Sequence, residues 1–149
     1  MAGQDYSDQL KSVVADILIE DDLDTFEEYW QLSQHIIENT PIRRFYVRTD
    51  DGYANVALLT DDLIVDIEGE EDDNSTGSLT FNPIRVIDSV RFHEGSVETI
   101  PESSEALLVL FVSVFGSTDV GPYWIAYSEE EYRYLTLFGK AVVEAVAAL

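Results

Sequence analysis

Thirty aspartates and glutamates against eight lysines and arginines give this 149-residue chain a formal net charge of −22, while 46% of its residues are hydrophobic. That much apolar surface excludes a disordered acidic tail. The absence of cysteine excludes disulfide scaffolds, iron–sulfur clusters and thiol catalysis, and the length fits one domain with an appended helical segment.

Acidic residues run along the whole chain, at Asp21-Asp22, Glu27-Glu28, Asp61-Asp62, Glu70 to Asp73 and Glu129 to Glu131. Only Lys11 and Lys140 are lysines; the other six basic residues are arginines. Such a coat repels itself in ordinary salt. In molar salt the Debye length falls to about 3 Å and the repulsion is screened. Acid excess with lysine depletion resembles the proteins of salt-in halophiles and predicts adaptation to high salt. The rival readings are a surface for a basic partner and an acidic mimic of nucleic acid. The start, Met1 to Tyr6, lacks the basic and apolar regions of a signal peptide. The longest apolar run, Ala106 to Val112, is far short of the ~20 residues that span a bilayer. These features predict a soluble, cytoplasmic protein with no membrane partner.

In chain order, the first 39 residues read as helix. Leu10, Val13, Val14, Ile17 and Leu18 form one apolar stripe. After the break at Glu20-Asp21-Asp22, Asp24 with Glu27 or Thr25 with Glu28 offers a capping-box start. Phe26, Tyr29, Trp30, Ile36 and Ile37 make the next stripe, which Thr40-Pro41 ends. From Ile42 the period becomes two. Phe45, Val47 and Thr49 alternate with Arg44, Tyr46 and Arg48, as in a half-exposed strand. Asp50-Asp51-Gly52 is turn chemistry, and strands follow over Ala54–Thr60 and Leu63–Glu68. Gly69 to Gly77 reads as an acidic loop. Ser78–Asn82 and Ser89–His93 are strands joined by Pro83 to Asp88. Gly95 to Ser104 is loop, with Val97 to Ile100 able to pair briefly. Ala106 to Phe115 is continuously apolar and predicts a central strand covered on both faces. A turn at Gly116–Pro122 leads to the strand Tyr123–Tyr127. Ser128 with Glu131 then caps a last helix, whose stripe is Leu135, Phe138, Val142, Val146 and Leu149.

The pattern predicts an α+β protein: an N-terminal helical extension over 1–41, then over 42–149 a seven-stranded, mainly antiparallel bent sheet or partly open barrel capped by the C-terminal helix. From Arg43 to Leu149 it resembles the pleckstrin-homology-like fold, particularly its bacterial and archaeal relatives. Three segments carry the resemblance: Leu58 to Val65 as the second hairpin, Phe81 to Val90 as the proline-bearing turn into a strand, and Trp124 to Ser128 as the last strand and helix cap. The resemblance implies a scaffold for phosphoinositide, peptide or protein binding, and rarely catalysis. Lipid-binding members use a basic loop between their first two strands. Here that loop is Asp50-Asp51-Gly52, with Arg48 beside it, and two acids cannot hold a multiply charged phosphate.

The sequence offers no catalytic constellation. Gly139-Lys140 is followed by Ala141 inside a helical stretch, so it is not a phosphate loop. His35 and His93 stand apart from any serine elbow and are too few for a zinc site. Glu68, Glu70 to Asp73 and Asn74 supply oxygen ligands without EF-hand spacing. Arg43, Arg44 and Arg48 form a candidate anion patch around Tyr46, although pairing with nearby carboxylates accounts for them and nucleic acid is disfavoured. Trp30, Tyr29 and Trp124 are the candidate interface anchors, with core packing as the plainer account. The reading is a non-enzymatic binding or assembly module without cofactor or metal, whose partner is a protein or a second copy of the chain. The alternative is a small-ligand-binding or catalytic domain with a cavity under the curved sheet.

Overall fold

The computed structural model describes residues 4–20, 23–70, 77–115 and 121–149. The apolar stripes form helices where the periodicity places them: α1 is Ser7–Glu20 and α2 is Asp24–Ile37. Leu10, Val14 and Ile17 of α1 and Phe26, Trp30 and Ile37 of α2 are buried. Ile36, assigned to the α2 stripe from sequence, is instead 51% exposed, and Ser33 takes the inward position. The hydroxyl of Ser33 donates to the Trp30 carbonyl (2.7 Å), so its burial leaves no polar atom unmet. The capping box expected at α2 does not form. Leu23 occupies the N-cap and is buried in the core, where it makes no capping bond. The acidic break at Asp21-Asp22 lies outside the described residues.

Among the described residues seven strands follow: β1 Arg44–Asp50, β2 Tyr53–Leu59, β3 Leu63–Glu70, β4 Gly77–Pro83, β5 Ile87–Glu94, β6 Leu108–Val114 and β7 Tyr123–Ala126. The helix α3, Glu129–Ala147, closes the order. The protein is therefore α+β, as the pattern implies. Its strands make two open antiparallel sheets, ordered β1-β2-β3-β4 and β5-β6-β7, rather than one continuous sheet. The acidic segment and the Gly116 turn expected from sequence fall largely outside the described residues, at 71–76 and 116–120. The segment 97–100 forms a turn (Ile100 N–H to Val97 carbonyl, 3.0 Å) and no strand.

The chain divides into two compact units, 1–82 and 83–149, whereas the change of period places a boundary near residue 41. In the first unit α1 and α2 cover one face of the first sheet. Ala54, Val56, Leu58, Val65 and Ile67 meet Leu10, Val14, Phe26 and Trp30 in one apolar cluster. These strand residues alternate, as a one-sided core requires. In the second unit β6 is central, as its unbroken apolar run predicts, with Leu108, Val109, Leu110 and Val112 all buried. α3 buries Leu135, Phe138 and Val142. Phe138 meets the edge of Trp124 on β7, with centroids 5.6 Å apart and planes at 76°. Val109 and Ile125 join Ile100 and Ala106 in a separate cluster.

Candidate functional site

Asp16 and Glu20 stand one turn apart on α1, beside Val13 and Ile17. The spacing i, i+3, i+4, i+7 puts all four on one helical face. Across from them β1 presents Val47 and Thr49, two residues apart and so on one face of the strand, followed by Asp50, the last residue of β1, and Asp51 of the β1–β2 turn. Together these eight residues line a solvent-open groove of about 450 Å³ within the first unit. Four of the eight lining residues are acidic, against thirty residues in 149 for the whole chain, and none is basic. The turn is fixed by its own chemistry. The Asp50 carboxylate accepts the Asp51 N–H (2.8 Å), and Gly52 takes φ = 67°, a backbone conformation that favours glycine. The arrangement can attract cations and cover apolar surface.

α1 is seated beside β1 by a second carboxylate. Asp5 accepts from the Ser7 hydroxyl (2.5 Å), the Ser7 N–H (3.0 Å) and the Ile42 N–H (3.0 Å). The Ser7 hydroxyl bond, then the two backbone bonds, hold the Asp5 carboxyl below its ordinary range. Tyr6 adds a backbone bond to the Ile42 carbonyl (2.8 Å). The groove is not legible in the sequence as a site, because residues 13–20 and 47–51 meet only in the fold. Its sequence signal is an acidic i, i+4 pair beside an apolar one, in a helix whose last turn carries no base.

The three arginines considered for an anion patch are spread along β1, Arg43 and Arg44 at its start and Arg48 towards its end, and each meets a different neighbour. Arg43 grips Asp61 in a fork, Nε–Oδ1 2.8 Å and Nη2–Oδ2 3.2 Å. This pairing raises the arginine's affinity for its proton and lowers the carboxyl of Asp61. The Arg44 guanidinium lies over the Tyr6 ring (4.9 Å), and that of Arg48 over the Tyr53 ring (4.6 Å). The register pairs Arg48 with Asn55 and Asn55 with Glu68, which places these polar groups on the sheet face opposite the helices. There Tyr53 donates to Glu68 (2.8 Å), and the Asn55 amide donates to Asp66 (2.9 Å) and to the Ile67 carbonyl (3.0 Å). Burial first, and the Glu68 carboxylate second, push the Tyr53 phenol well above its ordinary range, so it serves as a donor.

The candidate aromatic anchors sit inward. Trp124 is 1% exposed and Trp30 9%, each packed within its own unit, and Tyr29 is half-buried against the α2 core. In the second unit Ser103 pins its loop. Its hydroxyl accepts the Val97 N–H (2.7 Å) and lies 2.7 Å from the Ile100 carbonyl, to which it donates. Tyr127 donates to the Glu102 carbonyl. Tyr132 donates to Glu94 (2.8 Å), a bond that raises the Tyr132 pKa. His35 and His93 are both exposed, on α2 and β5. Among the described residues no group of three or more His, Asp or Glu is arranged to hold a metal ion, and no helix is long and apolar enough to cross a membrane. No family model, curated protein or solved structure matches the chain.

Proposed function

We propose that this protein is a non-enzymatic binding module for another protein, built to work at high salt, and that it makes contact through the groove between α1 and β1. The groove is the observation that carries the reading. An apolar floor rimmed by charged groups and open to solvent has the anatomy of a protein interface. The buried tryptophans shift the contact away from the aromatic anchors considered from sequence. Seven antiparallel strands followed by a C-terminal helix support a pleckstrin-homology-like scaffold in the same proposal. Its lipid function does not carry over, because the β1–β2 turn is acidic. The carboxylate coat supports a cytoplasm of high ionic strength as the working compartment.

A second reading, a pocket for a small ligand, is favoured by the groove's volume, which falls within the roughly 300–1,000 Å³ of ligand sites. Its broad mouth to solvent favours a macromolecular occupant. The test is isolation of a stoichiometric complex in molar KCl, followed by hydrogen exchange on the free and bound chain. The expected result is a protein partner that slows exchange at residues 13–20 and 47–51. Recovery of a bound or turned-over small molecule with no protein partner would overturn the proposal.

A further inference from the structure

The last turn of α1 adds to the negative potential of its surroundings. A helix C-terminus carries a partial negative charge from its aligned carbonyls, which a lysine or arginine in the last turn ordinarily offsets. α1 has no basic residue there. It carries Asp16 and Glu20 instead, and across the groove stand Asp50 and Asp51. Negative potential thus comes from a helix end and from carboxylates on both walls, above a floor of Val13, Ile17 and Val47 that carries no charge. No basic residue is among those that line the groove, and Arg48, the arginine nearest to it along β1, lies on the opposite sheet face over the Tyr53 ring.

Resting on the module reading, we infer that the α1–β1 groove takes a cationic, amphipathic segment of the partner protein, with apolar side chains on the floor and lysine or arginine on the two walls. Charge complementarity selects the sign of the occupant. Salt selects its amphipathic character. In molar salt the Debye length is about 3 Å, so attraction survives only at direct ion contact and long-range steering is lost. Apolar burial does not weaken under those conditions. A partner held at high salt therefore needs the floor as well as the walls. A purely polycationic ligand would bind at low salt and fall away in molar KCl.

The probe is a fluorescein-labelled peptide of alternating lysine and leucine, followed by anisotropy at low salt and in molar KCl. Wall variants are Asp16→Asn with Glu20→Gln, and Asp50→Asn with Asp51→Asn. The control is Glu98→Gln with Glu105→Gln, an exposed acidic pair in the second unit. Removing acids from an over-acidic surface relieves repulsion, so the variants are expected to fold, and circular dichroism checks this. Each wall variant should weaken the peptide about tenfold, the loss expected for direct charge contacts, while the control leaves it unchanged. Replacing the leucines by glycine should abolish binding in molar KCl. Three results would overturn the inference: equal weakening by the control pair, displacement of the peptide by spermidine at matching concentration, and no binding at either salt. If the isolated protein complex survives in both wall variants, the groove assignment falls and the module reading stands. If the groove binds the peptide but the chain forms no protein complex, the module reading falls and the groove's preference for a cationic segment stands.

Discussion

At Gly69 a methyl group added to the backbone would lie 2.6 Å from the Cβ of Phe26 and 3.0 Å from its Cα, so α2 and β3 touch almost backbone to backbone. Neither side can swing away. Gly69→Ala should therefore destabilise the first unit by roughly 1–3 kcal/mol, the cost of overpacking a dense core. Gly139 gives the contrast: the added methyl would meet the tip of the Phe92 ring at 2.3 Å, and that ring is 42% exposed and free to rotate outward. Gly139→Ala also gains helix propensity, so chemical denaturation should find it the milder of the two changes. Asp5 makes the pH-dependent case. Its donors hold the folded carboxyl below the unfolded value of 3.8. The contribution is thus present in full above that value and lost as pH falls through the lower, folded one. Exchange of the Ile42 amide should accelerate over that acidic window. Asp5→Asn, which keeps an acceptor but cannot titrate, should flatten the response; an unchanged profile in that variant would remove Asp5 as the cause.

Helix ends show which parts of the fold the sequence can announce. Ser128 accepts the Glu131 N–H (3.1 Å), and the Glu131 carboxylate accepts the Tyr127 N–H (2.8 Å). This cap is readable because both bonds are local: Ser128 and Glu131 stand three apart, and the Glu131 carboxylate reaches back to the residue before the N-cap. Ser128→Ala should cost about 1 kcal/mol. The α2 start departs from the sequence pattern for a physical reason. Asp24 and Thr25 have capping chemistry, but burying Leu23 fixes the entry one residue earlier, and tertiary packing decides the boundary. The α2 end holds a similar surprise: Glu38 sits at φ = 50°, where a side chain is strained. Glu38→Gly should stabilise the protein by about 1 kcal/mol, read as a rise in the thermal midpoint. The succession of strands follows from alternation and turn chemistry, and the central place of β6 from its unbroken apolar run. That the strands divide into two sheets, and that α1 meets the β1–β2 turn, depends on contacts between segments distant in sequence. Period and propensity carry no such information, so the groove cannot be read from the sequence while its helices and strands can.

Across the whole molecule, thirty carboxylates against eight bases make like-charge pairs outnumber opposite ones. Two charges roughly 10 Å apart in water repel by only about 0.4 kcal/mol, but the sum over such a surface opposes the compact state, and unfolding relieves it by spreading the charges. Screening must then favour folding: the Debye length contracts from about 10 Å at tenth-molar salt to about 3 Å at molar salt. Ion pairs such as Arg43–Asp61 pull the other way, since salt weakens an attraction, yet each exposed pair is small against the whole coat. The thermal midpoint should accordingly rise by several degrees from dilute buffer to molar KCl. The four groove acids give the control that ties this rise to charge. With Asp16, Glu20, Asp50 and Asp51 changed to their amides, the repulsion among them around the α1 C-terminus is gone at any salt. The variant should melt higher than the wild type in dilute buffer and gain less from KCl. Equal midpoints for the wild type in both solutions would end the view that this coat is tolerated because salt screens it.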